Sequence, residues 1–312
     1  MRRRLSRTIL SVAFALLASD FHIVSAVRPP QVAAQSTHDK DFWRAIVANK
    51  YQIPPNQEPF ALAKELSSYL GSPDPELRDD LSYTILTVWI VNRNYFSSVE
   101  LLQLEEEWTA NLRSAIGETA TDNIFKRSFS ALCLASLAER ELKTPFLGEA
   151  RYRKLLHVAV SYLRDEKDLR GFDASKGWIH STAHTADLLA ALAGNSFFTK
   201  QDQASVLKAI AARFATADSV FTYGEQDRLA NVVAVIAARS DFDLGAFRMW
   251  LSDIDATDRT VWKDSPPKLP PLTRFENNSY LLRALIPQLL QRPGTPETLE
   301  VQQAVLKSLQ RR

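Results

Sequence analysis

The sequence predicts an all-α protein of stacked helical hairpins, either a HEAT- or armadillo-like α-solenoid or a closed α/α toroid. Apolar residues recur with a helical period from about residue 60 onward, and no segment sustains the alternation typical of strands. Polar bunches also recur roughly every 50 residues, a length that accommodates two helices and two turns. Such a repeat buries one helical layer and leaves the other solvated.

The N-terminus has the features of a signal peptide, which we assign to residues 1–26. A basic start, with Arg2 to Arg4, precedes an apolar run from Ile9 to Ala18, and Val24-Ser25-Ala26 matches the small-residue cleavage rule. The apolar run is too short for a comfortable membrane span, so we expect no stable membrane insertion. A flexible leader at 27–38 and a single all-α domain at 39–312 follow.

Composition limits the classes of function. Cleavage after residue 26 lowers Lys plus Arg from 38 to 34 and Asp plus Glu from 36 to 35, so the mature chain carries a net charge near −1. A chain this close to neutral predicts no nucleic-acid partner. The single Cys133 cannot form an internal disulfide, and its apolar neighbours predict a small buried side chain. These features favour an exported protein, periplasmic or secreted, whose folded state is stabilised by packing alone and not by disulfides.

The predicted helices are of two kinds, which differ in how apolar they are. The more apolar ones, with polar residues near their starts, are predicted at Glu76–Val91, Ile124–Ala138, Trp178–Ala193, Asp227–Ala238 and Glu276–Leu290. The remaining helices are predicted at Asp39–Lys50, Phe60–Leu70, Val99–Ile116, Glu149–Arg164, Lys200–Phe214 and Leu244–Ile254. The prolines between Pro266 and Pro271 are expected to form the longest loop.

The stretch from Asp168 to Ala193 is the centre of the prediction. On a helix beginning at Trp178, His180, His184 and Asp187 fall within about 60° of one another and form one polar stripe. Asp187, three residues after His184, is positioned to orient that imidazole. The stripe is either a hydrogen-bonded core or a binding or catalytic site.

Histidines at this spacing also allow a metal pair, as in the HExxH zinc proteases. Ser181 occupies the position of the glutamate in that motif, and few other histidines or cysteines remain to complete a site. We therefore predict no metal and no cofactor, with His184 bonded to Asp187 or to a neighbouring helix.

The loop before this helix contains groups that are suited to binding an anion. Arg170 and Lys176 are cationic, and free N–H groups in the first turn of a helix attract negative charge. Trp178 and Asp173 stand in the same short stretch.

If the hairpins stack, the starts of the apolar helices also lie side by side and form a polar groove. Its predicted members are Arg127, His180, His184, Asp187, Glu225, Asp227 and Arg228. A ladder of ion pairs between units is the alternative reading of this row.

Four phrases together resemble a known bacterial family. They are LRDDLSYTILTVWI, DNIFKRSFSALCLA, DLRGFDASKGWIHSTAHTADLL and YGEQDRLANVVAVI. The chain is similar in these phrases to the domain-of-unknown-function family DUF2785, over about Phe42 to Leu290. The resemblance implies a helical fold without an assigned activity, and it implies that the GW-x-H-x3-H-x2-D phrase is a signature. The signal segment departs from the cytoplasmic chains associated with this family.

The leading functional hypothesis is an exported helical-repeat protein that binds a small molecule, a glycan or a protein along its polar groove. Its predicted binding residues are Arg127, Arg170, Lys176, Trp178, Glu225, Asp227 and Arg228. Lipase-type, nucleotide-binding and redox motifs are absent from the sequence.

The alternative is a hydrolase or lyase, with glycans as one class of substrate. Its candidate catalytic residues are His180 or His184 as general base, Asp187 or Asp173 as the orienting group, and an Asp173–Asp227 carboxylate pair for glycoside cleavage.

Overall fold

The structure, a computed structural model, describes residues 38–292 and 294–312. The predicted signal peptide at 1–26 and nearly all of the leader lie outside the described residues. Within the described part, the helices are α1 (Lys40–Ala48), α2 (Pro59–Tyr69), α3 (Glu76–Tyr83, Thr84–Thr87 and Val88–Arg93 in one run), α4 (Ser98–Asn111), α5 (Asn123–Lys143), α6 (Gly148–Asp165), α7 (Ser181–Ala193), α8 (Lys200–Ala215), α9 (Glu225–Ala237), α10 (Leu244–Asp258), α11 (Leu269–Leu290) and α12 (Pro296–Leu309). None of these helices is both long enough and apolar enough to cross a bilayer.

The helices form two layers, which confirms the predicted all-α helical-repeat fold. Helices α3, α5, α7, α9 and α11 pack successively on one another and make the inner layer. Helices α2, α4, α6, α8 and α10 make the outer layer, and each also contacts the inner helix that follows it. Helix α12 packs against α9, α10 and α11. The more apolar helices are therefore the inner ones, because they meet neighbours on more sides.

Two parts of the predicted secondary structure are wrong for identifiable reasons. Pro270 and Pro271 lie in the first turn of α11 instead of a loop, because the N–H groups there would have no acceptor within the helix. Trp178 does not begin α7. Phe172–Asp173 (β1) and Gly177–Trp178 (β2) pair as a two-stranded antiparallel hairpin, and the helix starts only at Ser181.

The core between the layers is continuous and rich in large side chains. Trp43, Trp89 and Trp108 are fully buried, and the indole N–H of Trp108 donates to the hydroxyl of Ser67. Cys133 is buried on α5, and its burial raises the pKa of the thiol, so the predicted role as a small buried apolar side chain is confirmed.

A buried ion pair holds the second inner helix to the loop that follows α6. Arg127 is fully buried, and its guanidinium donates to the carboxylate of Glu166 at 2.6 and 3.2 Å. Its remaining N–H groups donate to the carbonyl groups of Ser114, Ala115 and Glu118. With all five donors occupied, this side chain fixes the connection before α5 and the loop after α6.

We expect Glu166→Ala to lower the free energy of unfolding by about 3–5 kcal/mol, because it leaves the buried Arg127 charge without a counter-ion. The control is Glu149→Ala, which removes an exposed partner of Arg153 and should cost less than about 1 kcal/mol. Urea denaturation of both variants measures the difference. Equal losses would show that burial does not strengthen the Arg127–Glu166 pair.

Candidate functional site

The β1–β2 hairpin leads directly into the start of α7, which is buried. One carboxylate oxygen of Asp173 accepts hydrogen bonds from the N–H groups of Ser175 and Lys176 and from the Ser175 hydroxyl. Gly177 has a φ of +75°, a conformation that favours glycine in so tight a turn. Asp173, a predicted catalytic candidate, therefore acts as the cap of this turn.

His180 stands immediately before α7 in a left-handed backbone conformation, with φ at 49°. The N–H groups of Ile179 and His180 both donate to the carbonyl of Gly171, which holds the chain in this shape. The imidazole Nε2 lies 3.0 Å from the carbonyl oxygen of Tyr223. A carbonyl only accepts, so Nε2 carries the proton and Nδ1 has a free lone pair. Burial lowers the pKa of His180 to about 4.

His184 lies one turn into α7 and is more deeply buried. Its Nδ1 is 2.8 Å from the hydroxyl of Ser128 on α5, and that hydroxyl donates its one proton to the carbonyl of Ile179. His184 must therefore donate to Ser128 through Nδ1–H. Of the two partners predicted for His184, the neighbouring helix is confirmed and Asp187 is wrong. Burial holds the pKa of His184 well below its usual value.

The two imidazoles are therefore neutral at physiological pH, with ring centroids 5.7 Å apart. No cluster of three or more His, Cys, Asp or Glu side chains suited to a metal ion occurs among residues 38–292 and 294–312. The expectation of a metal-free protein stays a prediction. The stripe expected from the sequence is broken, because His180 precedes the helix and Asp187 faces a different set of neighbours.

Glu225, at the start of α9, completes the buried group around His180. Its Oε1 lies 4.0 Å from His180 Nε2, and its Oε2 accepts from the N–H of Tyr223 at 2.9 Å. Burial raises the pKa of this carboxyl. The sequence analysis placed both residues in one groove at the starts of neighbouring inner helices, and the adjacent helices α7 and α9 do bring them together across 45 positions of sequence.

Three aromatic side chains cover this buried group and remain about half exposed. They are Phe172, Trp178 and Tyr223, with ring centroids 4.9 to 6.2 Å apart. Trp178 also stacks on His180 at 4.3 Å. Phe172 and Tyr223 were missed from the sequence, because isolated aromatic residues in loops carry no periodic signal.

The two cations predicted to hold an anion already have partners. Arg170 donates to both carboxylate oxygens of Asp168 and to the carbonyl of Thr121. Lys176 donates to Asp122 at 2.6 Å. The bonds to Thr121 and Asp122 position the hairpin against the residues just before α5. An anion at this loop would therefore have to compete with existing carboxylates.

A second region, here called the inner cleft, lies across the inner layer and encloses about 440 Å³. Asp187 and Arg228 form an ion pair within it, and burial raises the pKa of Asp187 against the opposing effect of Arg228. The polar lining consists of Tyr83, Thr87, Ser136, Glu139, Asp187, Arg228, Asn231 and Arg292. The first seven occupy one face of successive inner helices at helical spacing, a signal that could have been found in the sequence.

The predicted groove residues therefore separate into four places. His180, His184, Glu225 and Trp178 form the histidine cluster, and Asp187 with Arg228 lies in the inner cleft. Arg127 is bonded to Glu166. Asp227 lines a different cleft of about 440 Å³, together with Tyr280 and Arg283.

These features define an all-α helical-repeat protein with a polar cleft across its inner layer. A model of the family described as Protein of unknown function (DUF2785) matches residues 112–286. The match covers more than half of the chain, so this chain belongs to the DUF2785 family, as its resemblance predicted. No curated protein and no solved structure matches the chain.

We expect Gly171→Ala to destabilise the fold by about 1–3 kcal/mol, because the added methyl group overlaps the Tyr223 ring and comes within 2.7 Å of Glu225 Oε1. Gly294→Ala is the matched control, since its methyl group would meet no atom within 4 Å. Thermal unfolding of both variants measures the effect. If Gly171→Ala were as stable as Gly294→Ala, the close approach of the two loops would be disproved.

The histidine cluster should make stability depend on pH. Because the folded pKa of His180 is about 4 and the unfolded value about 6.5, protonation favours unfolding, and its contribution to stability is lost as pH falls through this range. Asn tolerates the left-handed backbone, so His180→Asn preserves the turn. The variant should lose roughly 2–3 kcal/mol less than the wild type between pH 7 and pH 4.

Urea denaturation at several pH values provides the measurement. The raised pKa of Asp79 and the lowered pKa of His184 also make stability depend on pH, but both groups are present in the two proteins and largely cancel in the comparison. Parallel pH profiles for the wild type and His180→Asn would show that His180 is not held neutral by the fold.

Proposed function

We propose that this chain is an exported binding protein whose inner cleft receives a polar ligand or a segment of a protein partner. One observation carries the proposal: α3, α5, α7 and α9 each contribute polar side chains to a single cleft, and Arg292 after α11 adds another. Stacked helical repeats commonly bind along such an extended surface. Export is proposed from the signal-like residues 1–26.

The charges in the cleft favour a ligand that carries both signs. Arg228 and Arg292 are cationic, whereas Glu139 and Asp187 are acidic. Arg228 is half exposed, whereas Asp187 beneath it is largely buried, so the guanidinium of Arg228 is the member of this pair that a ligand reaches first. Arg292 donates to the amide oxygen of Asn231, which holds its guanidinium at the cleft. A short peptide with acidic and basic groups, or a zwitterionic small molecule, matches this arrangement.

The hydrolase or lyase alternative draws its support from His180 and Glu225, whose side chains lie 4.0 Å apart beneath exposed aromatic rings. Two properties make it the weaker proposal. A pKa of about 4 makes His180 a poor general base at neutral pH, and His184 is buried with its Nδ1–H committed to Ser128. Asp173 is likewise engaged by its own turn.

We expect a screen of the full chain against random-sequence peptides and an oligosaccharide array to yield a binder that depends on the inner cleft. Arg228→Glu and Asp187→Lys should each weaken that binding at least about tenfold, because each reverses a charge in the cleft. Arg153→Glu is the matched control, since Arg153 forms a similar pair with Asp202 between α6 and α8.

Fluorescence polarisation of the labelled binder measures the affinities. Equal affinity in all four proteins, or equal weakening by Arg153→Glu, would contradict the proposal, as would the absence of any binder at about millimolar concentration. Turnover of an oligosaccharide that His180→Asn abolishes would favour the alternative.

A further inference from the structure

The loop that connects α8 to α9, residues 216–224, contributes to two exposed features. Its Tyr223 belongs, with Phe172 and Trp178, to the half-exposed aromatic group described above, which we call the aromatic patch. Its residues 220–222 and 224 line the cleft of about 440 Å³ between α9 and α11, which we call the α9–α11 cleft. Because consecutive loop residues reach both features, the aromatic patch and the α9–α11 cleft are adjacent.

Exposed aromatic rings concentrate around this loop. Within the described part of the chain, five aromatic side chains are between 42% and 59% exposed, namely Phe172, Trp178, Tyr223, Trp262 and Tyr280. Only Trp262 belongs to neither feature, because Tyr280 of α11 lines the α9–α11 cleft. A group of exposed rings beside a cleft indicates a surface that contacts a ligand.

The α9–α11 cleft also contains one free charge of each sign. Asp227 of α9 and Arg283 of α11 line it, and both side chains are exposed. Neither forms an ion pair or a side-chain hydrogen bond with the other or with any further residue that the structure describes. The guanidinium of Arg283 lies 5.5 Å from the ring centre of Tyr280, which leaves its N–H groups available. The hydroxyl groups of Thr222 and Tyr280 add two more polar groups to the lining.

These groups favour a neutral ligand that is rich in hydroxyl groups. The charges of Asp227 and Arg283 cancel, and no other charged residue among those described lines the cleft, so an anion such as a phosphate gains little. A carboxylate only accepts hydrogen bonds and a guanidinium only donates them, whereas a hydroxyl group does both and satisfies either. An extended peptide that adds to a sheet needs a free strand edge, and the described chain has only the two-residue strands β1 and β2.

We propose that the α9–α11 cleft binds a neutral oligosaccharide whose chain continues onto the aromatic patch. Hydroxyl groups of the sugar donate to the carboxylate of Asp227 and accept from the guanidinium of Arg283. The apolar C–H faces of the sugar rings contact Tyr280 in the cleft and Trp178 on the patch, because aromatic rings present broad apolar surfaces. The α9–α11 cleft shares no lining residue with the inner cleft, so this proposal does not depend on the proposed function.

The spacing of the inner helices sets the length of the ligand. Helices α7, α9 and α11 pack successively, and packed helices lie roughly 8–10 Å apart. A ligand that reaches from α11 to the hairpin before α7 therefore crosses about two such distances, or roughly 20 Å. A chain of several sugar units is needed to cover that distance.

Isothermal titration of the full chain with cellohexaose, maltohexaose and N-acetylchitohexaose tests the cleft. We expect at least one of these neutral sugars to bind with a Kd below about 1 mM. Asp227→Asn and Arg283→Gln should each weaken that binding at least about fivefold, because each replaces a charged hydrogen-bonding group with a neutral one. Arg113→Gln is the matched control, since Arg113 is an exposed arginine after α4, and it should change the affinity less than about twofold.

Fluorescence quenching tests the aromatic patch without altering it. The chain has six tryptophans, and only Trp178 and Trp262 are exposed, so Trp178 is the one exposed indole in a Trp262→Phe variant. We expect a saturating concentration of the hexasaccharide that binds to remove most of the acrylamide quenching in this variant, because the sugar covers the Trp178 ring.

Circular dichroism establishes that each variant is folded, and the quenching measurement remains a test if Asp227→Asn or Arg283→Gln is not. The proposal is overturned if none of the three sugars binds at about millimolar concentration, if Arg113→Gln matches the loss in Asp227→Asn, or if acrylamide quenching is unchanged by the bound sugar. A loss caused by Arg228→Glu but not by Asp227→Asn would place the sugar in the inner cleft and would also overturn it. Tighter binding of a capped peptide with one acidic and one basic side chain, lost in Asp227→Asn, would overturn the assignment to a sugar.

Discussion

Buried arginines that donate to backbone carbonyl groups hold the helical units in register. Arg78 on α3 donates to the carbonyls of Lys176 and Trp178, which are about 100 positions further along the chain. Arg213 on α8 donates to Glu166, and Arg239 after α9 donates to three carbonyls of the α7–α8 connection. Apolar packing alone tolerates sliding between helices, whereas a buried guanidinium that loses its acceptors carries a large penalty. These contacts therefore select one stacking arrangement.

The same constraint shapes the candidate sites. The hairpin held by Arg78 leads directly to His180, and Ser128 on α5 bonds both Ile179 and His184, so the histidine cluster is fastened to two inner helices. Burial in this arrangement lowers the pKa of both imidazoles. The inner cleft differs from this cluster, because it contains the half-exposed charge of Arg228. The polar groups that fix the fold and those of the proposed binding cleft thus lie in different parts of the structure.

Periodicity in the sequence was sufficient to predict the helices, the two layers and the buried character of α7. It was insufficient for the site, because helix pairing decides which polar groups meet. Asp187 and His184 share a helix, yet Asp187 forms an ion pair with Arg228, whereas His184 forms a hydrogen bond with Ser128. The prediction that α7 begins at Trp178 was wrong, because strands of two residues are too short to show a periodic pattern in the sequence.

The central claim is that buried polar side chains couple units distant in sequence, and hydrogen exchange of an Arg78→Met variant tests it most directly. Arg44→Met, which removes an exposed arginine paired with Glu76, is the control. We expect amides of residues 171–180 to exchange at least about tenfold faster in Arg78→Met, while those of α9 keep their protection. Unchanged exchange at 171–180, or a uniform increase along the whole chain, would contradict the account.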